Sequence, residues 1–137
     1  MAIQGLVVAV KDALAVGLGS IAVHNRRVPP GLTEADLPLV VFLLNQTTGK
    51  AFFGGVEEDH FATVAVLCFG QADKGATALR AVEEAVYAAL DRKTLAGVTG
   101  YEGVQGLALV RGDPVQVEPN MYVCRDSYVV FGSVDVP

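Results

Sequence analysis

Apolar residues recur at intervals of three and four from Ile3 to Val16. Ile3, Leu6, Val7, Val10 and Leu14 fall on one face of a helical wheel, with Gln4, Lys11 and Asp12 elsewhere. Gly17 and Gly19 follow and mark the end of that helix. Ser20 to His24 reads as a short edge strand, and Asn25 to Leu37 as a loop, because Pro29-Pro30-Gly31 continues neither a helix nor a central strand. Leu39 to Leu44 is a β run. Gln46 to Asp59, with Gly49, Gly54 and Gly55, reads as a hairpin connection much longer than the common span of about two to five residues.

Phe61 to Phe69 carries the strongest strand signal. Ala62, Val64, Val66 and Cys68 line one face, while Phe61, Ala65, Leu67 and Phe69 line the other. A strand apolar on both faces needs cover on both. One layer of helices covers one face; the other must be closed by a folded-over sheet, a loop or a neighbouring subunit. Asp73 is placed to cap a second helix running to about Asp91, with Leu79, Val82, Val86 and Leu90 as its stripe and Ala78, Ala85 and Ala89 beside it. Arg80 and Glu84 are spaced as a mild pair on the opposite side. Glu102 to Arg111 and Met121 to Gly132 read as strands joined through Gly112-Asp113-Pro114, with Arg125-Asp126-Ser127 a polar interruption, read as a bulge or a sheet edge. The expected fold is a single α+β domain spanning 1–137. Its sheet is mostly antiparallel or mixed, with about four to five strands and two helices on one face, in the order α-β-β-β-α-β-β.

Composition sharpens this picture. The apolar fraction is 52% and the charged fraction 18%, against averages of roughly 45–50% and about 25%. Such a charge-poor chain has apolar surface to spare for other protein. The formal net charge is −5, and the bases are adjacent only at Arg26-Arg27 and Arg92-Lys93, so the basic stripe of a nucleic-acid binder is missing. Residues 1–18 lack a basic leader, and Lys11 and Asp12 interrupt the apolar run, which argues against a signal peptide. No stretch approaches the roughly 20 apolar residues of a membrane span.

Chemistry is sparse. Cys68 and Cys124 sit in strand-like runs outside any metal-ligand spacing and read as buried free thiols, although a bridge across the sheet is conceivable. His24 and His60 stand alone, and His60 beside Glu58 and Asp59 reads as a solvated loop residue. Gly17-Leu18-Gly19 follows a helix rather than a strand and so is not a dinucleotide loop. Arg111-Gly112-Asp113 reads as a turn rather than an adhesion signal. The adjacent acids Glu57-Glu58 and Glu83-Glu84 do not converge and read as solvated charge. No catalytic, cofactor or metal residue is assigned, and the chain is expected not to be an enzyme.

In order and spacing the elements resemble the tail terminators of long-tailed phages, also called tail-completion or tail-to-head joining proteins. The resemblance runs from about Val28 to Val134. It rests on Pro29-Pro30-Gly31 before the strand Leu37-Pro38-Leu39-Val40-Val41, the strand His60 to Phe69, the alanine-rich helix Ala78 to Leu90, and the turn Val110-Arg111-Gly112-Asp113-Pro114. The family's strand tyrosine is replaced by Leu39, and the variable loop, with Phe52 and Phe53, is longer and more apolar. The resemblance implies a homo-oligomer, a hexameric ring, at the head-proximal end of a tail tube in the virion neck, assembled in the host cytoplasm. Its implied partners are the tail tube protein and the head–tail connector or stopper, with genomic DNA passing through the lumen without specific binding, no membrane and no cofactor. Candidate contacts with neighbours are Phe52 and Phe53, rimmed by Lys50, Glu57 and Glu58, and secondarily Arg26, Arg27, Pro29 and Pro30. The alternatives are another neck or tail component, or a ligand-binding α+β domain unrelated to phage.

Overall fold

The computed structural model describes residues 2–31, 33–50, 58–95 and 101–134. Helix α1 spans Ala2–Leu18, and the chain then forms strands β1 (Ala22–Asn25), β2 (Leu39–Lys50) and β3 (Glu58–Gln71), helix α2 (Gly75–Leu90), and strands β4 (Tyr101–Arg111), β5 (Val115–Glu118) and β6 (Met121–Val134). The expected α+β order holds, with the short β5 added. The sheet is six-stranded and mixed, in the order β1-β2-β3-β6-β4, with β5 also on β6. Only β1 and β2 run parallel; the other pairings are antiparallel.

Period-two alternation sends Val40, Phe42 and Leu44 of β2, Ala62, Val64, Val66 and Cys68 of β3, and Cys124, Tyr128 and Val130 of β6 into one core with both helices. Helix α1 contributes Leu6, Val10 and Leu14, and α2 contributes Leu79, Val82, Val86 and Leu90. The helices touch closely where Gly17 faces Ala89. A β-carbon on Gly17 would lie 2.7 Å from that of Ala89, so two small residues set the spacing. Gly19, at φ +62, turns the chain out of α1 as glycine readily does.

Several local boundaries differ from the sequence reading. Helix α2 is entered through a 3-10 turn, Ala72–Lys74, and Lys74 rather than Asp73 occupies its N-cap without a side-chain cap bond. Of the long loop expected at 46–59, residues 46–50 and 58–59 belong to strands, and 51–57 lie outside the described residues. Thr48 pairs with His60 and Lys50 with Glu58, because Gln46-Thr47-Thr48 continues the alternation despite its polarity. His60 is therefore a strand residue. Arg125-Asp126-Ser127 does not interrupt β6; the irregularity lies opposite, in β4, as a register shift between Ala108 and Val110.

The two-sided apolar character of β3 is resolved unevenly. Its inner face is sealed by the helices. On the outer face, Leu37 at the end of the proline-containing loop packs with Leu39, Val41 and Phe69, with Leu67, Met121 and Val123 partly buried around them. Further along the same face Thr63 is exposed and Leu43, Ala65 and Val129 are only half-buried. A loop covers one end, and no described residue seals the other.

Candidate functional site

Two features stand out: an apolar margin at one sheet edge and a buried polar cluster beneath it. Leu107, Leu109, Val110, Val115 and Val117 are all exposed, Val110 to 62% and Val115 to 59%. They fall on β4 and β5, which both pair with β6 and have no further strand beyond them among the described residues. The segment after α2 guards part of this edge. Arg92 N donates to Gly106 O at 2.7 Å, Leu95 N to Val104 O at 2.8 Å, and Ala108 N to Asp91 Oδ1 at 2.8 Å. A β-carbon on Gly106 would collide with the Leu90 carbonyl oxygen, so glycine is what lets the end of α2 lie against β4. Past Ala108 the guard stops, and exposed Leu109 and Val110 follow. An edge that presents both backbone groups and large apolar side chains is a template for pairing with protein.

Beneath that margin lies the polar cluster. Glu83 of α2 and Asp126 of β6 are each 0% exposed. Arg80 Nη1 donates to Glu83 Oε1 at 2.6 Å and to Gly112 O at 3.1 Å, and Arg80 Nη2 also donates to Asp113. Arg111 Nη2 donates to Glu83 Oε1 at 3.1 Å and to Glu84 Oε1 at 2.6 Å, with its guanidinium 4.7 Å from the centroid of the Tyr87 ring. Cys124 Sγ donates to Glu83 Oε2 at 2.8 Å, and Gly112 N donates to Asp126 Oδ1 at 2.9 Å. The cluster thus ties α2 to β4, to β6 and to the turn after Arg111.

Burial alone would push the Glu83 carboxyl up, but hydrogen bonds with Asp126, Cys124 and Arg80 and the charge of Arg80 outweigh it and hold the group down at about 2. Asp126 goes the other way, to about 7. Burial and the hydrogen bond with Glu83 favour its protonated form, against the Gly112 N–H. Burial, followed by the charges of Asp126 and Glu83, pushes the Cys68 thiol up to about 12, and Cys124 is raised by burial and its bond to Glu83. Both cysteines are free, and they face each other in register across β3 and β6.

Neither feature was anticipated by the site residues read from sequence. Glu83 is not solvated charge: it occupies the buried side of α2, and Arg80 pairs with it rather than with Glu84. Arg111-Gly112-Asp113 is a turn as expected, but its arginine and aspartate both belong to the cluster. Of the expected contacts, Lys50 ends β2 and Glu58 begins β3, while Phe52, Phe53 and Glu57 lie outside the described residues. Arg26, Arg27, Pro29 and Pro30 line a cleft beside β1 with His24 and Val28. Arg26 N donates to Phe42 O at 2.8 Å and its side chain to Leu44 O at 3.2 Å, which holds the loop onto the edge of β2.

One solved structure matches nearly end to end. It is a chain described as "Virion of native gene transfer agent (GTA) particle", with a TM-score of 0.70, 18% identity, and coverage of 96% of this chain and 97% of that one. This chain shares a virion chain's fold. A second solved chain, whose description names no function, matches with a TM-score of 0.67 at 12% identity, covering 100% of this chain and 99% of that one. At these identities the likeness establishes the fold. No protein-family model matches the chain, and no curated protein matches it. Among the described residues no helix is long and apolar enough to cross a membrane.

Proposed function

We propose that this chain is a structural, non-enzymatic virion protein of the tail-terminator kind. It forms a ring at the head-proximal end of a tail tube, ends tube polymerisation and joins the tail to the head connector. The observation that carries the reading is the end-to-end likeness to a chain of a gene transfer agent virion. The order of motifs along the sequence supplies the finer position in the neck, and the uncovered apolar edge of β4 and β5 supplies a surface for a neighbouring subunit. Phe52 and Phe53, in the segment between β2 and β3, are the first candidates for contact with an adjacent tail or head component, with Lys50, Glu57 and Glu58 beside them in sequence and Arg26 to Pro30 as a second contact. A net charge of −5 suits a ring that DNA traverses without adhering.

The test is the solution mass of the purified protein by light scattering, alone and with isolated tail tubes. A discrete species of about six chains, or a monomer that closes into one ring on tube ends, supports the reading. An invariant monomer that neither binds nor caps tubes overturns it. Long tubes formed by this protein alone point instead to a tube subunit of the same particle.

A further inference from the structure

Glu83 of α2 meets Cys124 and Asp126, two residues apart on β6, so that one ligand-capable atom of each lies within 4.8 Å of the others, and all three side chains are buried. Each carboxylate is held from behind. Glu83 Oε1 accepts from Arg80 and Arg111, which leaves Oε2 turned to the Cys124 sulfur; Asp126 Oδ1 accepts from Gly112 N. Asp126 Oδ2 is buried and no donor reaches it. A buried carboxylate oxygen without a donor is costly, and two carboxyls that face each other need a proton or a metal ion between them. Around this point stand four carboxyls (Glu83, Glu84, Asp113 and Asp126) and two guanidiniums (Arg80 and Arg111), an excess of two negative charges once the shared proton has left.

We propose that Glu83, Cys124 and Asp126 form a binding site for a thiophilic divalent cation of the zinc class. The donor set of two carboxylates and a sulfur suits that class rather than magnesium or calcium. One oxygen of each carboxylate is fixed by a guanidinium or a backbone N–H, which is how outer groups orient metal ligands, and the Cys124 sulfur lies 2.8 Å from Glu83 Oε2 and 3.7 Å from Asp126 Oδ1. Binding forms a metal–sulfur bond, and the Cys124 thiol proton and the proton shared by the carboxyls leave to solvent. The ion joins α2 to β6 directly beneath the apolar edge. The site is independent of the proposed function: it holds or fails whether or not the chain forms a ring.

The full-length protein, purified with chelator and then dialysed free of it, is titrated with cobalt(II) alone and followed by absorption. One equivalent per chain with a thiolate-to-cobalt charge-transfer band is expected, together with release of protons into a weakly buffered solution. Cys124→Ser removes the band and Cys68→Ser keeps it, while Asp126→Asn weakens binding at least tenfold. The wild-type titration decides the question even if a variant folds poorly. No charge-transfer band from wild-type protein with an intact circular dichroism spectrum overturns the proposal and leaves a shared proton as the occupant. A band that survives Cys124→Ser overturns it as well, since the ion then binds elsewhere.

Discussion

Cys124 on β6 donates its thiol hydrogen to Glu83 on α2 across 2.8 Å, so a helix carboxylate reaches through the core to the middle of the sheet. Neither residue is exposed, and Arg80 and Arg111 close over the opposite side of the carboxylate. The arrangement makes Glu83 the joint between the helical layer and the sheet. It also sets the path of the turn at Gly112, whose N–H and carbonyl are both used by cluster members.

Replacing Glu83 with Ala leaves two guanidiniums facing a buried void and Cys124 without its acceptor. Breaking one partner of a buried ion pair costs about 3–5 kcal/mol. Because Arg80 and Arg111 are each about a third exposed and regain water, the lower end of that range is expected. Urea unfolding monitored by circular dichroism measures it. A loss no larger than that of Glu84→Ala, whose carboxylate is mostly exposed, would show that Glu83 is not the joint.

The carboxyl pair gives opposite pH dependences. Asp126 rises from 3.8 to about 7 on folding, so its contribution is complete below pH 3.8 and is lost as pH rises through 7. Glu83 falls from 4.5 to about 2, so its contribution is complete above pH 4.5 and is lost as pH falls toward 2. Arg80 and Arg111 stay charged throughout this range, and the thiols of Cys68 and Cys124 and the hydroxyl of Tyr128 stay protonated. In chelator, stability of the wild type relative to Asp126→Asn should therefore fall between pH 4 and about 7, because Asn keeps the neutral form at every pH. Parallel stability curves for the two proteins would contradict the shared proton.

Both thiols should be slow to react in the folded protein. The thiolate is the reactive form, and burial, first of all, pushes Cys68 up to about 12 and raises Cys124. With a disulfide reagent at pH 8, two thiols per chain are expected to react promptly in denaturant and neither in native buffer. A fast native equivalent would mean that the sheet opens at the β3–β6 pair.

Much of this fold was legible because it is written in local periodicity. The stripe Leu79, Val82, Val86 and Leu90 and the inner face Ala62, Val64, Val66 and Cys68 are all buried as their spacing required. The extension of β2 to Lys50 was hidden because Gln46, Thr47 and Thr48 carry no apolar signal and are held by pairing with β3. The cluster was hidden for a different reason. The groups that make burial of Glu83 tolerable are Arg80, one helical turn away, and Arg111 and Cys124, which only the packed sheet brings to it. One clue was present: Glu83 lies four residues after Leu79 and three before Val86, on the apolar stripe itself.

Gly17 sets the distance between the helices. Alanine there would gain about 1 kcal/mol of helix propensity. Its β-carbon would meet that of Ala89 at 2.7 Å, and overpacking of this kind costs about 1–3 kcal/mol. The crowding is expected to win because both atoms sit on backbone-fixed positions. Gly17→Ala should lower the urea midpoint, and adding Ala89→Gly should restore most of the loss. A more stable single variant would mean that the helices spread freely.

The edge of β4 and β5 and the phenylalanines between β2 and β3 make separable predictions about assembly. Val110→Asp with Val115→Asp changes two exposed residues and should alter stability of the single chain by no more than about 0.5 kcal/mol. If that edge receives a neighbouring subunit, the change desolvates two carboxylates in an apolar contact, and the oligomer seen by light scattering should dissociate to single chains. If Phe52 and Phe53 contact a different protein, as proposed, Phe52→Ser with Phe53→Ser should leave the oligomer intact and abolish capping of tail tubes. An oligomer indifferent to the paired aspartates places the subunit contact elsewhere, with Arg26 to Pro30 the next surface to change. An oligomer that dissociates when the phenylalanines are replaced instead assigns them to the contact between copies of this chain.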